Sequence, residues 1–402
     1  MPIAKGLYKQ LRYKAQTGQG VAAGSTGGQI LRRVTSDLSL VKDSYQSEEI
    51  RADQQIADFR HGVRRVEGTI KGELSPGTYA DLIAAALRRD FSAGAVVSGA
   101  SLTVAGSGPA YTVTRAAGSF LTDGIKAGDV VRLAGGFNAA NAAKNLLVVS
   151  LTATVLNVLV LNGSALVAEG PIASASVTVQ GKKTFVPASG HTDKYLTFEH
   201  WYADINQSEQ FTDCKVGQLD VSLPATGMAT ISPQLRGIDM KTGTGAYFTA
   251  PAAETAAGVV AAVNGVLLVG GVQVGLVTGL SVSVNGNLSG DPVVGQNTMP
   301  DFFPGRLVVT GQFTAYFQDG TLRDAFVGEG EVGIVAALTT SNAANADFIA
   351  FNLPRVKLSS AAKDDGEKGI VQTFSFQALL NTAGGTGTAS EKTTLSVQDS
   401  LA

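Results

Sequence analysis

The chain of 402 residues has one cysteine, Cys214, and one tryptophan, Trp201. A lone thiol excludes an internal disulfide framework and suits folding in a reducing cytoplasm, where Cys214 is expected as a small buried apolar side chain. Aromatic residues are 7% of the chain, too few for a sugar-stacking platform. Charge is also sparse. Charged residues make up 16%, and 31 Lys plus Arg stand against 33 Asp plus Glu for a formal net charge of −2. Bulk electrostatics therefore do not draw in nucleic acid through counterion release. Long unbroken apolar runs are missing. The stretch from Gly258 to Leu280 is interrupted by Asn264, Gln273 and several glycines, so it reads as a hairpin, VLLV and VQVGLV flanking Gly270-Gly271, and not as a membrane span. The opening MPIAKGLYKQLRYK has basic residues with no apolar run behind them, unlike a secretory signal.

Catalytic signatures are scarce too. Three histidines, His61, His191 and His200, are present, and His191, His200, Asp193 and Cys214 are spaced too loosely to suggest a metal site. His200 beside Trp201 reads as a packed strand residue. Gly328-Glu-Gly-Glu-Val-Gly333 matches a dinucleotide fingerprint by letters, but Glu329 and Glu331 would repel a pyrophosphate, so it reads as a hairpin turn. Gly181-Lys-Lys-Thr184 lacks the upstream glycine of a phosphate loop and reads as a charged strand end. With no serine elbow or paired carboxylates, the expectation is a protein without enzymatic activity, metal or cofactor.

What the sequence has is glycine, 48 residues, and 44% hydrophobic residues. That composition favours many short strands with turns and predicts a mainly β chain. Its length implies two or three domains. An internal repeat supports this. The segment Ile56 to Ile83 aligns without a gap on Met299 to Phe326, pairing Asp58 with Asp301, Phe59 with Phe302, Gly62 with Gly305, Val66 with Val309, Gly68 with Gly311 and Gly77 with Gly320, always 243 apart. Val66, Gly68, Ile70, Gly72 and Leu74 alternate with Arg65, Glu67, Thr69, Lys71 and Glu73, and Val309, Gly311, Phe313, Ala315 and Phe317 repeat the apolar face. A Pro-Gly or Asp-Gly turn follows each strand, then a helix start at Thr78 or Thr321 whose hydroxyl is expected to cap it; the first helix is expected to run on through Phe91. Further on, LTFEHWYADI around Phe198 is matched with FIAFNLPRVKL around Phe351, an offset of 153, from 351 − 198. The drop of 90, from 243 − 153, implies an insertion in the first copy between Phe91 and Pro187.

The inserted interval, 92–187, shows short strands at regular spacing and reads as a small β-barrel-like domain on the outer surface. Its FLTDGIKAGDVVRLAG resembles the opening of SH3-like barrels. The first unit is then 1–91 with 188–240, and the second 241–402. Gln16 to Gln29 reads as an arm, and the tail from Asn381 as extended, with a possible short strand at Thr394 to Val397.

Taken together, the run from LRRVTSDLSLVKDSYQSEEIRADQQIADF through TYADLI, the segment TFEHWYADINQSEQFTDCKVGQLDVSLPATG and the run FPGRLVVTGQFTAYFQDGTLRDAF resemble the major tail, or tail-tube, proteins of long-tailed bacteriophages with non-contractile tails. The resemblance implies a β-sandwich with a flanking helix, subunits in stacked rings lining a tube, other tail proteins at its ends, and a tape-measure protein and DNA in the channel without sequence-specific binding. It also implies a place in the virion tail after synthesis in the host cytoplasm, with no membrane partner. With two units per chain, a pseudo-sixfold ring would need three copies in preference to a hexamer. The loop from Lys42 to Phe59 is expected to reach the neighbouring ring through Glu48, Glu49, Arg51 and Asp53, anchored by Phe59, with Phe302 and Phe303 in the second copy; the alternatives are a solvated loop and core aromatics. Glu67 and Glu73 are candidates to line the lumen, or else to sit on an outer face of mixed charge. The competing class is a β-sandwich host-surface or carbohydrate-binding protein of the virion.

Overall fold

The computed structural model describes residues 3–273, 277–317, 320–364, 367 and 369–402. The first unit opens with β1 (Lys9–Ala15), the short β2 (Gln29–Ile30) and β3 (Thr35–Ser36), then β4 (Ser39–Gln46) and β5 (Phe59–Glu73). Alternation in β5 buries Val66 and Ile70 and leaves Lys71 and Glu73 exposed, as a half-buried strand requires. Gly68 is needed there, since a Cβ would lie 2.6 Å from the Leu38 Cα. Helix α1 (Ala80–Leu87) buries Leu82, Ile83 and Leu87 and stops at Arg88, whose φ of 58° is left-handed. It is therefore shorter than the sequence suggested. Nor does Thr78 cap it: its hydroxyl bonds Ser75 Oγ at 2.6 Å and Thr255 Oγ1 at 2.5 Å, and Tyr79 stands at the cap.

After β6 (Ser92–Ala93) come β7 (Val96–Ser107), β8 (Ala110–Arg115), β9 (Val130–Ala134), β10 (Leu146–Leu151), β11 (Val155–Val160) and β12 (Glu169–Val179), which close into a six-stranded barrel. Closure leaves the barrel with no raw edge, and Leu102, Val113, Leu133, Leu156 and Val177 fill its interior. The chain returns through β13 (Lys182–Phe185), β14 (Leu196–Tyr202), β15 (Gln207–Pro224), β16 (Thr230–Gly237) and β17 (Asp239–Thr244). The second unit comprises β18 (Gly265–Val269), β19 (Val272–Gln273), β20 (Val277–Asn285), β21 (Val308–Tyr316), α2 (Thr321–Val327), β22 (Glu331–Thr339), β23 (Phe348–Lys363), β24 (Val371–Ala378) and β25 (Ser396–Asp399). The Gly270-Gly271 hairpin joins β18 to β19; the rest of its second arm, Val274 to Leu276, and residues 318–319 of the Asp-Gly turn lie outside the described residues.

The two units share one ladder. In the first, β1, β14, β15, β16, β5 and β4 pair in that order, all antiparallel. In the second, the order is β18, β22, β23, β24, β21 and β20. Registers coincide residue by residue. Leu196 opposite Cys214 and Phe198 opposite Phe211 become Val332 opposite Val356 and Ile334 opposite Leu353. Two bulges repeat as well: Leu196/Phe198 recurs at Val332/Ile334, and Val216/Gln218 at Leu358/Ser360. A bulge fixes where a strand bends and twists, so two shared bulges mark one architecture used twice.

This ladder corrects the pairing of LTFEHWYADI with FIAFNLPRVKL. The counterpart of β14 is β22, at an offset of 136 (332 − 196), and β23 answers to β15, at 142 (358 − 216). Both β14 and β23 are aromatic-rich core strands, so similar side chains concealed different ladder positions. The insertion is correspondingly longer: 108 residues separate α1 from β14 and three separate α2 from β22, a difference of 105. Within it, β6 and β13 pair with each other and β13 pairs with β25, outside the barrel. The tail is not loose. Ser396 and Val397 are buried in β25, which also pairs with β23.

Each long strand, β15 and β23, spans two layers. Their first halves join short flanking sheets; their second halves enter a long sheet ordered β4, β5, β16, β15, β20, β21, β24, β23. Val66, Ile70, Leu219, Val282, Phe313, Phe374 and Phe376 form the core beneath it. The barrel, although inserted in the first unit, sits on the flanking sheet of the second, where Val130 and Leu147 pack with Leu268, Ala337, Phe348 and Ala350. Gln398 secures it, accepting from the Val130 amide at 2.8 Å and donating to its carbonyl at 2.9 Å. On the first unit, the ladder positions of Leu268 and Ala337 hold Arg12 and Trp201. A buried Arg12–Glu199 pair lies there, and the Tyr247 and Phe248 amides donate to Glu199. Such a polar, already covered face offers no apolar seat.

Candidate assembly surfaces

The long sheet turns its second face to solvent. Across it run rows of short polar side chains set by cross-strand register: Ser232, Asp220, Ser283, Thr310 and Gln377 in one, and Thr230, Ser222, Ser281, Gln312, Ser375 and Ser360 in the next. These side chains satisfy one another. Asp220 accepts from Gln218 at 2.9 Å, Ser283 at 2.6 Å and Gln234 at 3.2 Å, and Thr278 donates to Thr314 at 2.7 Å. Charges of both signs are scattered on it, Arg65 with Glu67 at 2.8 Å among them. A concavity of about 700 Å³ on this face is lined by residues including Ser39, Glu67, Thr69, Gln234, Arg236 and Asn285. Chemically it presents hydroxyls and amides instead of a cationic stripe, and so offers a polyanion little to bind.

The sheet ends in two bare borders. Among the described residues, β4 pairs only with β5 and with no strand on its outer side. Among the described residues the second half of β23 likewise pairs with β24 alone. At the middle of the sheet the equivalent strands meet each other: β15 pairs with β20, Gln218 opposite Asn285 through Pro224 opposite Gly279. An unpaired strand border exposes a row of amides and carbonyls that another chain can complete.

Glu48, Glu49, Arg51 and Asp53 all lie on the exposed loop between β4 and β5. Arg51 and Asp53 pair with each other at 3.1 Å, and Ile50 and Ile56 stand exposed beside them. Phe59 at the loop base is 48% exposed and meets His61 edge-on. Phe303 is exposed, but Phe302 is 2% exposed and packed inside the chain, leaving it no outward surface. Glu67 and Glu73 both stand on the polar face of β5, Glu73 exposed at its end.

Sequence reasoning missed the rest of that face. Its signal was the alternation of Ser, Thr and Gln with apolar residues in QLDVSL, SVSVN and QTFSFQA. It also missed the buried pairing of Lys183, on the strand taken for a charged end, with Asp129 at 2.5 Å and Glu391 at 3.1 Å. Burial disfavours the Lys183 charge, but the two carboxylates outweigh it and hold its pKa above the ordinary lysine value. Gly328 to Gly330 form the turn from α2 into β22, with Glu331 to Gly333 already in that strand, and the segment is not a hairpin. His200 is buried in β14, Nε2 2.8 Å from Ser36 Oγ. Cys214 is fully buried. Among the described residues no helix is long and apolar enough to cross a membrane.

A family model described as phage tail tube protein matches residues 8–378, nearly the whole chain. No curated protein matches it.

Proposed function

The chain belongs to the phage tail tube protein family, a structural component of the virion tail, and we propose that three copies close into a ring whose wall is the long sheet. The carrying observation is the junction of β15 with β20 inside the chain. By the shared ladder, β23 is β15 again and β4 is β20 again, and those are the two strands with bare outer borders. Repeating the internal junction between copies sets β23 of one against β4 of the next. Adding 142 to Gln218 and Leu219 and subtracting 244 from Asn285 and Val284 puts Ser360 opposite Val41 and Ala361 opposite Leu40. Each chain brings eight strands to the wall, and rotation by one third of a turn closes it without a free edge.

In this ring the polar face lines the channel, with Glu67 and Glu73 on it, and the tape-measure protein and then DNA pass without sequence-specific contact. The loops bearing Glu48, Glu49, Arg51 and Asp53 leave the end of the sheet and meet the next ring, which gives exposed Ile50 and Ile56 a place to bury. Electron microscopy of the purified protein is the test. Hollow rings or tubes with three chains per ring are expected; six chains per ring, or discrete particles at all concentrations, would refute the reading.

A further inference from the structure

The loop between β20 and β21 returns to the first unit, where the Arg64 amide donates to the Asn297 carbonyl at 2.8 Å. There Asp301 and Phe302 insert beside Lys215. Lys215 Nζ donates to Asp301 Oδ2 at 3.2 Å, to the Phe302 carbonyl at 2.7 Å and to Asp193 Oδ2 at 2.7 Å. Lys215 is 3% exposed as a result.

Four parts of this lock, Lys215, Asp193, Asp301 and Phe302, exist a second time; Tyr195, whose hydroxyl also donates to Asp301 Oδ2 at 2.7 Å, is answered instead by Glu331, which pairs with Arg355. By the ladder offset of 142 the counterpart of Lys215 is Lys357, and by that of 136 the counterpart of Asp193 is Glu329; Lys357 Nζ lies 3.0 Å from Glu329 Oε2. By the offset of 243 the counterparts of Asp301 and Phe302 are Asp58 and Phe59. Even the local turn recurs, since the Phe59 amide donates to Asp58 Oδ1 at 2.8 Å as the Phe302 amide does to Asp301 Oδ1 at 2.7 Å. The second set differs in being apart. Lys357 is 43% exposed at its side chain and Asp58 53%.

We propose that Asp58 and Phe59 of one copy seat against Lys357 and Glu329 of the next, reproducing between chains the lock that Asp301 and Phe302 make with Lys215 within one. The partner is a second copy of this chain. The inference rests on the ring reading, because only the β23–β4 junction brings the two sets together; it adds a charged latch and a buried ring to a contact otherwise made of backbone. It also assigns the base of the projecting loop to the lateral neighbour and leaves its tip for the next ring.

The test is zero-length carbodiimide coupling, which joins a carboxylate to a lysine in contact, on assembled protein made from a mixture of isotopically light and heavy chains. Peptide mapping is expected to find Asp58 joined to Lys357 in mixed light–heavy pairs. Rings or tubes that yield Lys357 joined only to Glu329, or Asp58 joined only within its own chain, overturn the latch and leave the ring standing. Failure to form any ring sinks both. As an independent check, Asp58→Lys, on an exposed loop where folding is not at stake, is expected to raise the concentration needed for assembly about tenfold, and adding Lys357→Glu to bring it back toward the parent. An unchanged threshold in Asp58→Lys also overturns it.

Discussion

Gly72 and Tyr79 show how the two copies of the unit solve one packing problem with different side chains. A Cβ on Gly72 would overlap the Tyr79 hydroxyl, which donates to the Arg32 carbonyl at 2.6 Å. The same ladder positions in the second unit hold Ala315 and Leu322. Gly72→Ala is therefore expected to destabilise by about 1–3 kcal/mol through overpacking. Adding Tyr79→Leu should recover part of that loss, so denaturant unfolding of the four combinations should show favourable coupling. His200 offers a test by pH. Burial lowers its pKa below the ordinary 6.5, and Glu209 only partly opposes this. The unfolded chain then takes up a proton near 6.5 that the folded chain refuses, so stability is present above that pH and drains away as pH falls toward the lowered value. Thermal melts of His200→Gln at about pH 7 and about pH 5 are expected to differ less than those of the parent. At this scale the sequence spoke clearly for burial, as with Cys214 and His200. It was silent on Lys183, because a lysine in a strand carries no mark of the carboxylates that folding brings to it.

Among elements, the ion cluster at the barrel's foot decides most. Lys183 on β13 ties Asp129, just ahead of β9, to Glu391 on the tail segment. Lys183→Met would leave the buried Asp129 carboxylate without its cation and near the partly exposed Glu391, and a loss of about 3–5 kcal/mol is expected in denaturant unfolding. The repeat of β5 in β21 could be read directly, since its apolar face alternates at a fixed offset. The repeat of β14 in β22 could not: Leu196 and Phe198 answer to Val332 and Ile334, but Glu199, His200 and Trp201 answer to Val335, Ala336 and Ala337. What those two strands share is a bulge and a register, properties of the backbone that side-chain comparison does not see. Thr78 misled for a related reason, its hydroxyl being taken by Thr255 from a distant segment.

For the molecule as a whole, the barrel breaks the equivalence of the two units. Its seat of Leu268, Ala337, Phe348 and Ala350 has a polar counterpart on the first unit, so a ring of three chains would carry three barrels on six unit positions. Replacing residues 96–179 with a short linker leaves every strand of the long sheet in place. Rings are expected to persist in electron micrographs with three outer lobes missing, while the bared apolar seat lowers the melting temperature.

The β15–β20 joint carries one more consequence. The proposed wall of six units would need six seams, and the polypeptide would already have sewn every second one. In the proposed ring three chains would surrender rotational and translational freedom where six would otherwise have to, and each covalent seam would hold its halves at a high effective concentration whatever the dilution. Closure should therefore depend on subunit concentration with a lower order than in a ring of single-unit chains.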